Sequence, residues 1–186
     1  MHDWNLEDPF LRSWVLMGQA FEAACRALEV ELVQYRMTVP QYNVLMLLDC
    51  CTVPLSPGQI SSYVFREKHT VSTLLSRMEK AGLIEKTKDG DDDRVVKAQI
   101  TPKGRLVLKK VMSPAMRYAR ELMNTCFTEE EVKQWDRHLR KLRDHSLQEL
   151  GQEIEPLPPI FRRKGLCCSC NALEGELQVS VATTKT

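Results

Sequence analysis

Between His69 and Arg105 the chain collects side chains whose types suit contact with a nucleic acid. His69, Thr70, Ser72 and Thr73 are short donors and acceptors of the kind that reach base edges. Arg77 and Lys80 follow one and two turns later, better placed for phosphates. Val71, Leu74, Leu75 and Met78 recur at steps of three and four, so they share the opposite, apolar face of a helix. Ala81-Gly82 ends that helix, the glycine suiting a left-handed C-terminal residue. The backbone N–H groups at the start of such a helix favour a phosphate. Leu83–Thr87 and Val95–Ile100 then pattern as two strands, with a charged turn from Lys88 to Arg94 between them. A helix for the major groove followed by a hairpin that reaches the neighbouring minor groove is the layout of a winged helix.

The elements needed to hold that face are legible on both sides. Leu11, Trp14, Val15, Gly18, Phe21, Cys25, Leu28, Leu32 and Tyr35 form a stripe that predicts one long helix over 10–36. Thr38 with Gln41, and Ser56 with Gln59, are capping-box pairs, each with a proline in the first turn. The first opens an apolar helix through Leu48 and ends near Cys50-Cys51, two thiols best read as small buried hydrophobes. The second opens a short helix to about Phe65. Arg66–Lys68 is the expected turn, and the recognition helix is expected to begin at His69 or Thr70, completing a helix-turn-helix. Thr101-Pro102 starts a further helix, which Ser113-Pro114 is expected to kink or split. Thr128 with Glu131 caps a last helix that Gly151 stops.

Composition limits the class. An apolar fraction of 43% and a charged fraction of 27% over 186 residues fit one domain with a real core. The net charge of +1 argues against indiscriminate nucleic-acid binding, but the charge is uneven. Residues 1–55 carry 3 basic and 7 acidic groups, whereas residues 56–105 carry 10 and 7. The candidate binding stretch is therefore the basic part. No apolar run suits a membrane span and the first residues lack an apolar leader core, so no membrane partner is expected. Seven cysteines in helix-like segments point to a reducing, cytoplasmic compartment. No glycine-rich phosphate loop, nucleophile elbow or HExxH motif is present, so no catalytic residues, cofactor or enzymatic activity are expected.

The central stretch resembles the MarR-type (multiple antibiotic resistance regulator) family of bacterial repressors. The residues that carry the resemblance are Leu75, then Met78-Glu79-Lys80-Ala81-Gly82-Leu83-Ile84, then Asp92-Asp93-Arg94, then Ile100-Thr101-Pro102-Lys103-Gly104. It extends over residues 10–150 and leaves out the tail after Glu155. The implied fold is mainly α with a small β-hairpin wing, a winged helix-turn-helix with N- and C-terminal dimerisation helices. The implied division is a helical dimerisation region at 1–37 and 102–151 and a DNA-binding region at 38–101; the composition of 152–186, with Pro156, Pro158 and Pro159 as a stiff linker, is expected to give a flexible cysteine-containing tail. In the family pattern Asp-x-Arg marks the wing. Here Asp92 would hold the turn and Arg94 would enter the minor groove, where a narrow groove rewards positive charge. Asp93 stands where the family usually has a second basic residue, and Asp89, Asp91 and Asp93 crowd the arginine with negative charge.

The resemblance implies double-stranded DNA and a second copy of the chain as partners. It sets two recognition helices about 34 Å apart on a pseudo-palindromic site. It also implies relief of repression by a small aromatic ligand between the dimerisation helices and the winged helix. Trp14, Phe21, Tyr35, Met46 and Met112 are candidates to line that pocket, with ordinary core as the weightier reading of each. Two alternatives stay open. One is a redox- or metal-responsive regulator sensing through Cys167, Cys168 and Cys170. Arg162, Arg163 and Lys164 could lower a thiol pKa there, but the cysteines fall short of four zinc ligands without His138, His145 or a second tail. The other is a winged-helix protein adaptor, which would show neither steep salt dependence nor sensitivity to loss of Arg94.

Overall fold

The computed structural model of the chain describes residues 6–51, 53–89 and 92–151, with the backbone alone for 89 and 92–95. Its elements are α1 (Pro9–Val33), α2 (Val39–Cys50), α3 (Pro57–Val64), α4 (Lys68–Lys80), β1 (Ile84–Asp89), β2 (Asp92–Ile100), α5 (Pro102–Cys126) and α6 (Glu129–Glu149). The tail and its Cys167, Cys168 and Cys170 lie outside the described residues. Among the described residues no helix is long and apolar enough to cross a membrane.

Local hydrogen bonds set most of the helix starts. Thr38, Ser56 and Thr128 each accept from the backbone N–H three residues on, while Gln41, Gln59 and Glu131 reach back to the cap N–H. Each box satisfies two donors that a bare helix end would leave open. Asp8 starts α1 in a different way, its carboxylate accepting from the N–H groups of Phe10 and Leu11. That helix ends at Val33, three residues before the expected limit, because Arg36 adopts φ 53° and the Met37 N–H turns back to the Leu32 carbonyl.

The Glu131 box carries a pH signature. Hydrogen bonds from the Thr128 N–H and hydroxyl, each 2.8 Å, hold the Glu131 carboxyl below the usual glutamate range. A depressed folded pKa means that the cap contributes in full above the ordinary glutamate value. Its contribution is lost as pH falls through the lowered one. Amide exchange in the first turn of α6 should therefore quicken as the protein is acidified through that window, and Glu131→Gln should remove the dependence.

The core sits where α2, α3, α4, the hairpin and the middle of α5 converge. Leu32, Val44, Leu45, Ile60, Val71, Leu75, Met78, Ile84, Leu108 and Val111 are its most deeply buried side chains. Cys50 and Cys51 are both buried, in keeping with their reading as small hydrophobes. The hairpin is antiparallel, with Ile84 opposite Ile100 and Lys86 opposite Ala98. Leu55 adds an isolated bridge to Ala98 through two backbone hydrogen bonds of 3.0 and 2.8 Å, pinning the base of the hairpin to the loop before α3.

Three further expectations give way. The recognition helix begins at Lys68, so the turn is only Arg66-Glu67. The segment read as a charged turn is largely strand: Lys88 pairs with Val96 and Asp89 with Asp92, so the ladder continues past the apolar residues around a bulge at 93–95. α5 runs unsplit through Pro114. A proline removes one backbone hydrogen bond there, but Val111, Met112 and Ala115 are all buried beside it, so packing on both sides of the proline holds the helix.

Candidate nucleic-acid interface

α4 presents two distinct faces. Val71, Leu75 and Met78 are buried with Leu74 packed beside them, while His69, Thr70, Ser72, Thr73, Arg77 and Lys80 are exposed. All six sequence-derived helix residues thus stand on the outward side. Ser72, Thr73, Ser76, Arg77 and Lys80 line an open groove of about 390 Å³.

The hydroxyls on this face are ordered by the helix itself. Ser72 donates to the Lys68 carbonyl at 2.9 Å, Thr73 to His69 at 3.0 Å and Ser76 to Ser72 at 3.0 Å. The hydroxyl protons are thereby taken up by the helix backbone, which leaves the oxygens of Ser72 and Thr73 as acceptors on the exposed face. Thr70 lies 3.3 Å from the His69 ring. No side chain caps the N-terminus, where Glu67 is the cap residue.

The C-terminal end of α4 is where helix, wing and α5 meet. Gly82 has φ 70°, and its N–H returns to Glu79 while that of Leu83 returns to Met78. This is the left-handed closure expected of a glycine at that position. Thr101 caps α5, its hydroxyl accepting from the Gly104 N–H at 3.0 Å and donating to the Gly82 carbonyl at 2.7 Å. Lys103 donates to the Ala81 carbonyl at 2.6 Å, a cation on the negative end of α4. Arg105 pairs with Asp49 at 2.6 Å, tying α5 to the end of α2. The Ile100–Gly104 motif is therefore a joint between wing, recognition helix and α5.

The MarR family model matches residues 37–95. YsmB of Bacillus subtilis, an HTH-type transcriptional regulator, is 32% identical over 111 residues, spanning 60% of this chain and 75% of that protein. The chain belongs to the MarR family. Among solved structures, the ligand-free organohalide-sensing regulator RdhR-CbdbA1625 superposes with a TM-score of 0.75 at 26% identity, covering 86% of this chain and 94% of that one. MepR of S. aureus, solved as a DNA complex, superposes with a TM-score of 0.65, over 70% of this chain and 96% of MepR. At 22% identity that likeness speaks for the fold alone.

The other site residues of this MarR-family regulator are placed less completely. The side chains of Asp92 and Arg94 lie outside the described residues, though their backbones belong to β2. Lys88 pairs with Val96 and Asp89 with Asp92, so Arg94 falls on the bulged side of an irregular hairpin end. Of the five candidates for a ligand pocket, Met112 is core, Tyr35 and Met46 pack against the core, and Trp14 and Phe21 are exposed. Burial is the chief cause raising the Cys25 thiol pKa, with Glu22 and Glu29 adding to it, so this thiol is held away from the reactive thiolate. His138 and His145 stand on α6, and no cluster of three metal-ligating residues occurs among the described residues.

Lys86 has no place among the sequence-derived site residues, yet it reaches the side of α4 that carries them. Its ammonium donates to Ser76 Oγ at 3.0 Å and pairs with Glu79 at 3.1 Å. The signal was present: Lys86 shares the inward face of β1 with Ile84, where alternation calls for an apolar residue.

Proposed function

We propose that this transcriptional regulator binds double-stranded DNA as a homodimer at a pseudo-palindromic operator, acting as a repressor whose affinity a small aromatic ligand modulates. The observation that carries the reading is the outward face of α4, polar along its length and ending in Arg77 and Lys80, beside a hairpin anchored at its base. The DNA complex of MepR supports it by fold. RdhR-CbdbA1625 has a 2,4-dichlorophenol-bound form, at 27% identity, which supports the ligand class. The roles assigned to residues 1–37 and 102–151 as dimerisation region, and 38–101 as DNA-binding region, belong to the same reading.

The exposed apolar face supports the dimer. Phe10, Trp14 and Phe21 are 84%, 63% and 63% exposed along the first half of α1, and Leu139 and Leu142 on α6 and Leu150 just past its end are exposed. Exposed apolar surface on this scale marks an interaction site. A second copy covers it in this reading, and the ligand lodges between these helices and the winged helix.

The test is fluorescence anisotropy with duplex DNA from upstream of the coding sequence and a scrambled duplex, across a salt series. The expected result is saturable binding to the first, much tighter than to the second and falling steeply with salt. Equal, weak and salt-insensitive binding to both would overturn the reading in favour of a protein adaptor. Trp14→Glu with Phe21→Glu should shift the protein to monomer in sedimentation and abolish tight binding, since buried aromatic anchors contribute about 2 kcal/mol or more each to an interface.

A further inference from the structure

Lys86 occupies a position with a clear mechanical consequence. It lies on β1 opposite Ala98, the residue that the Leu55 bridge also holds, so its backbone belongs to the rigid base of the hairpin. Its side chain is only 21% exposed and reaches across to the recognition helix. There it donates to Ser76, whose own hydroxyl donates to the Ser72 carbonyl, and it pairs with Glu79 near the helix end. Ser72 and Ser76 both line the groove on the outward face of α4. One ammonium thus joins the wing to the side of the helix that faces out.

We infer that Lys86 is a positioning residue for DNA recognition, fixing the recognition helix to the first wing strand so that both meet DNA as one body. This rests on the DNA-binding reading above. The geometry suits the role. An apolar side chain at this strand position would pack against α4 without direction, whereas two polar contacts to residues three apart on the helix set its rotation about its own axis. That rotation decides which of Thr70, Ser72, Thr73 and Arg77 can reach base edges at once. Glu79 also draws the ammonium away from phosphates, so Lys86 acts through the helix and not by touching DNA.

The test uses the full chain and the duplex that the wild type prefers, with the scrambled duplex beside it. Lys86→Met keeps the aliphatic stem, and Glu79→Gln breaks the pair without removing a cation. Both variants should lower the ratio of specific to non-specific affinity by about tenfold, the range of a coupling between contacting residues. The salt slope and the melting temperature should stay near wild type, and Lys86→Arg should recover part of the ratio. Two results would overturn the inference. If Lys86→Met weakens both duplexes equally and flattens the salt slope by about 0.9 for each phosphate released, while Glu79→Gln tightens both, Lys86 is a phosphate ligand. If the ratio is unchanged in both variants, Lys86 is a strut with no part in recognition. A wild-type protein that binds neither duplex would instead refute the DNA-binding reading itself.

Discussion

Arg94→Ala is expected to weaken operator binding by about 100-fold, taking about 1.4 kcal/mol for each of two arginines in a dimer. The melting temperature should scarcely move. Both expectations follow from where the backbone puts the residue. Arg94 lies in β2 where the register with β1 breaks between Lys88 and Asp89, at the end of the hairpin farthest from the Leu55 bridge. A bulge bends its strand and re-aims the residue it carries. Among the hairpin side chains described, the buried ones are Ile84, Ala98 and Ile100 at the other end, and that part of the core keeps its packing when Arg94 is truncated. A cation there is suited to a minor groove that attracts positive charge. The neighbouring acids, Asp89, Asp91, Asp92 and Asp93, add a second expectation. Asp93→Ala should tighten binding, because it removes a charge that repels phosphate. Anisotropy titrations of both variants on the preferred duplex check the pair. Unchanged affinity for Arg94→Ala would remove the wing from the interface.

The second large effect concerns stability. Gly104→Ala should cost about 3 kcal/mol or more and lower the melting temperature by roughly 6–12 °C, measured by circular dichroism. A Cβ at this position would overlap the Leu83 carbonyl oxygen and lie 2.9 Å from Ile100 Cγ1. The overlap is with backbone that cannot swing aside, for the same Leu83 carbonyl accepts from the Thr101 N–H at 3.1 Å. Relief requires α5 to move away from the end of α4. That movement would pull apart the bonds from Thr101 to Gly82 and from Lys103 to Ala81. Since these bonds hold the start of α5 against the end of the recognition helix, the variant should lose operator affinity beyond the fraction unfolded. A melting temperature equal to wild type would mean that α5 can yield at Leu83 without cost.

Much of this architecture could be read directly from the chain, because its determinants act over three or four residues. The capping boxes at Thr38, Ser56 and Thr128, the left-handed glycine at 82 and the two faces of α4 each depend on bonds or spacings inside one element. The outward placement of His69, Thr70, Ser72, Thr73, Arg77 and Lys80 followed from helical period alone, once Val71, Leu75 and Met78 were known to face inward.

Other features depend on residues that meet only in the folded chain. Pro114 predicts a break by local rules, and α5 stays whole because its flanking side chains are buried in a core assembled from distant segments. The hairpin extends past its apolar residues because each strand supplies the other's hydrogen-bond partners. The joint at Gly104 needs Leu83, which the hairpin's pairing returns to it across 21 residues of sequence, and the Lys86 bonds need Ser76 and Glu79 on another element. Sequence by itself therefore determined the order of the elements, most of the helix starts, the family and the outward chemistry of the recognition helix. Only the tertiary structure decided how that helix is held. A side chain's own neighbours set its local conformation, but the direction of a half-buried charge is set by whatever distant group the fold brings within hydrogen-bond reach.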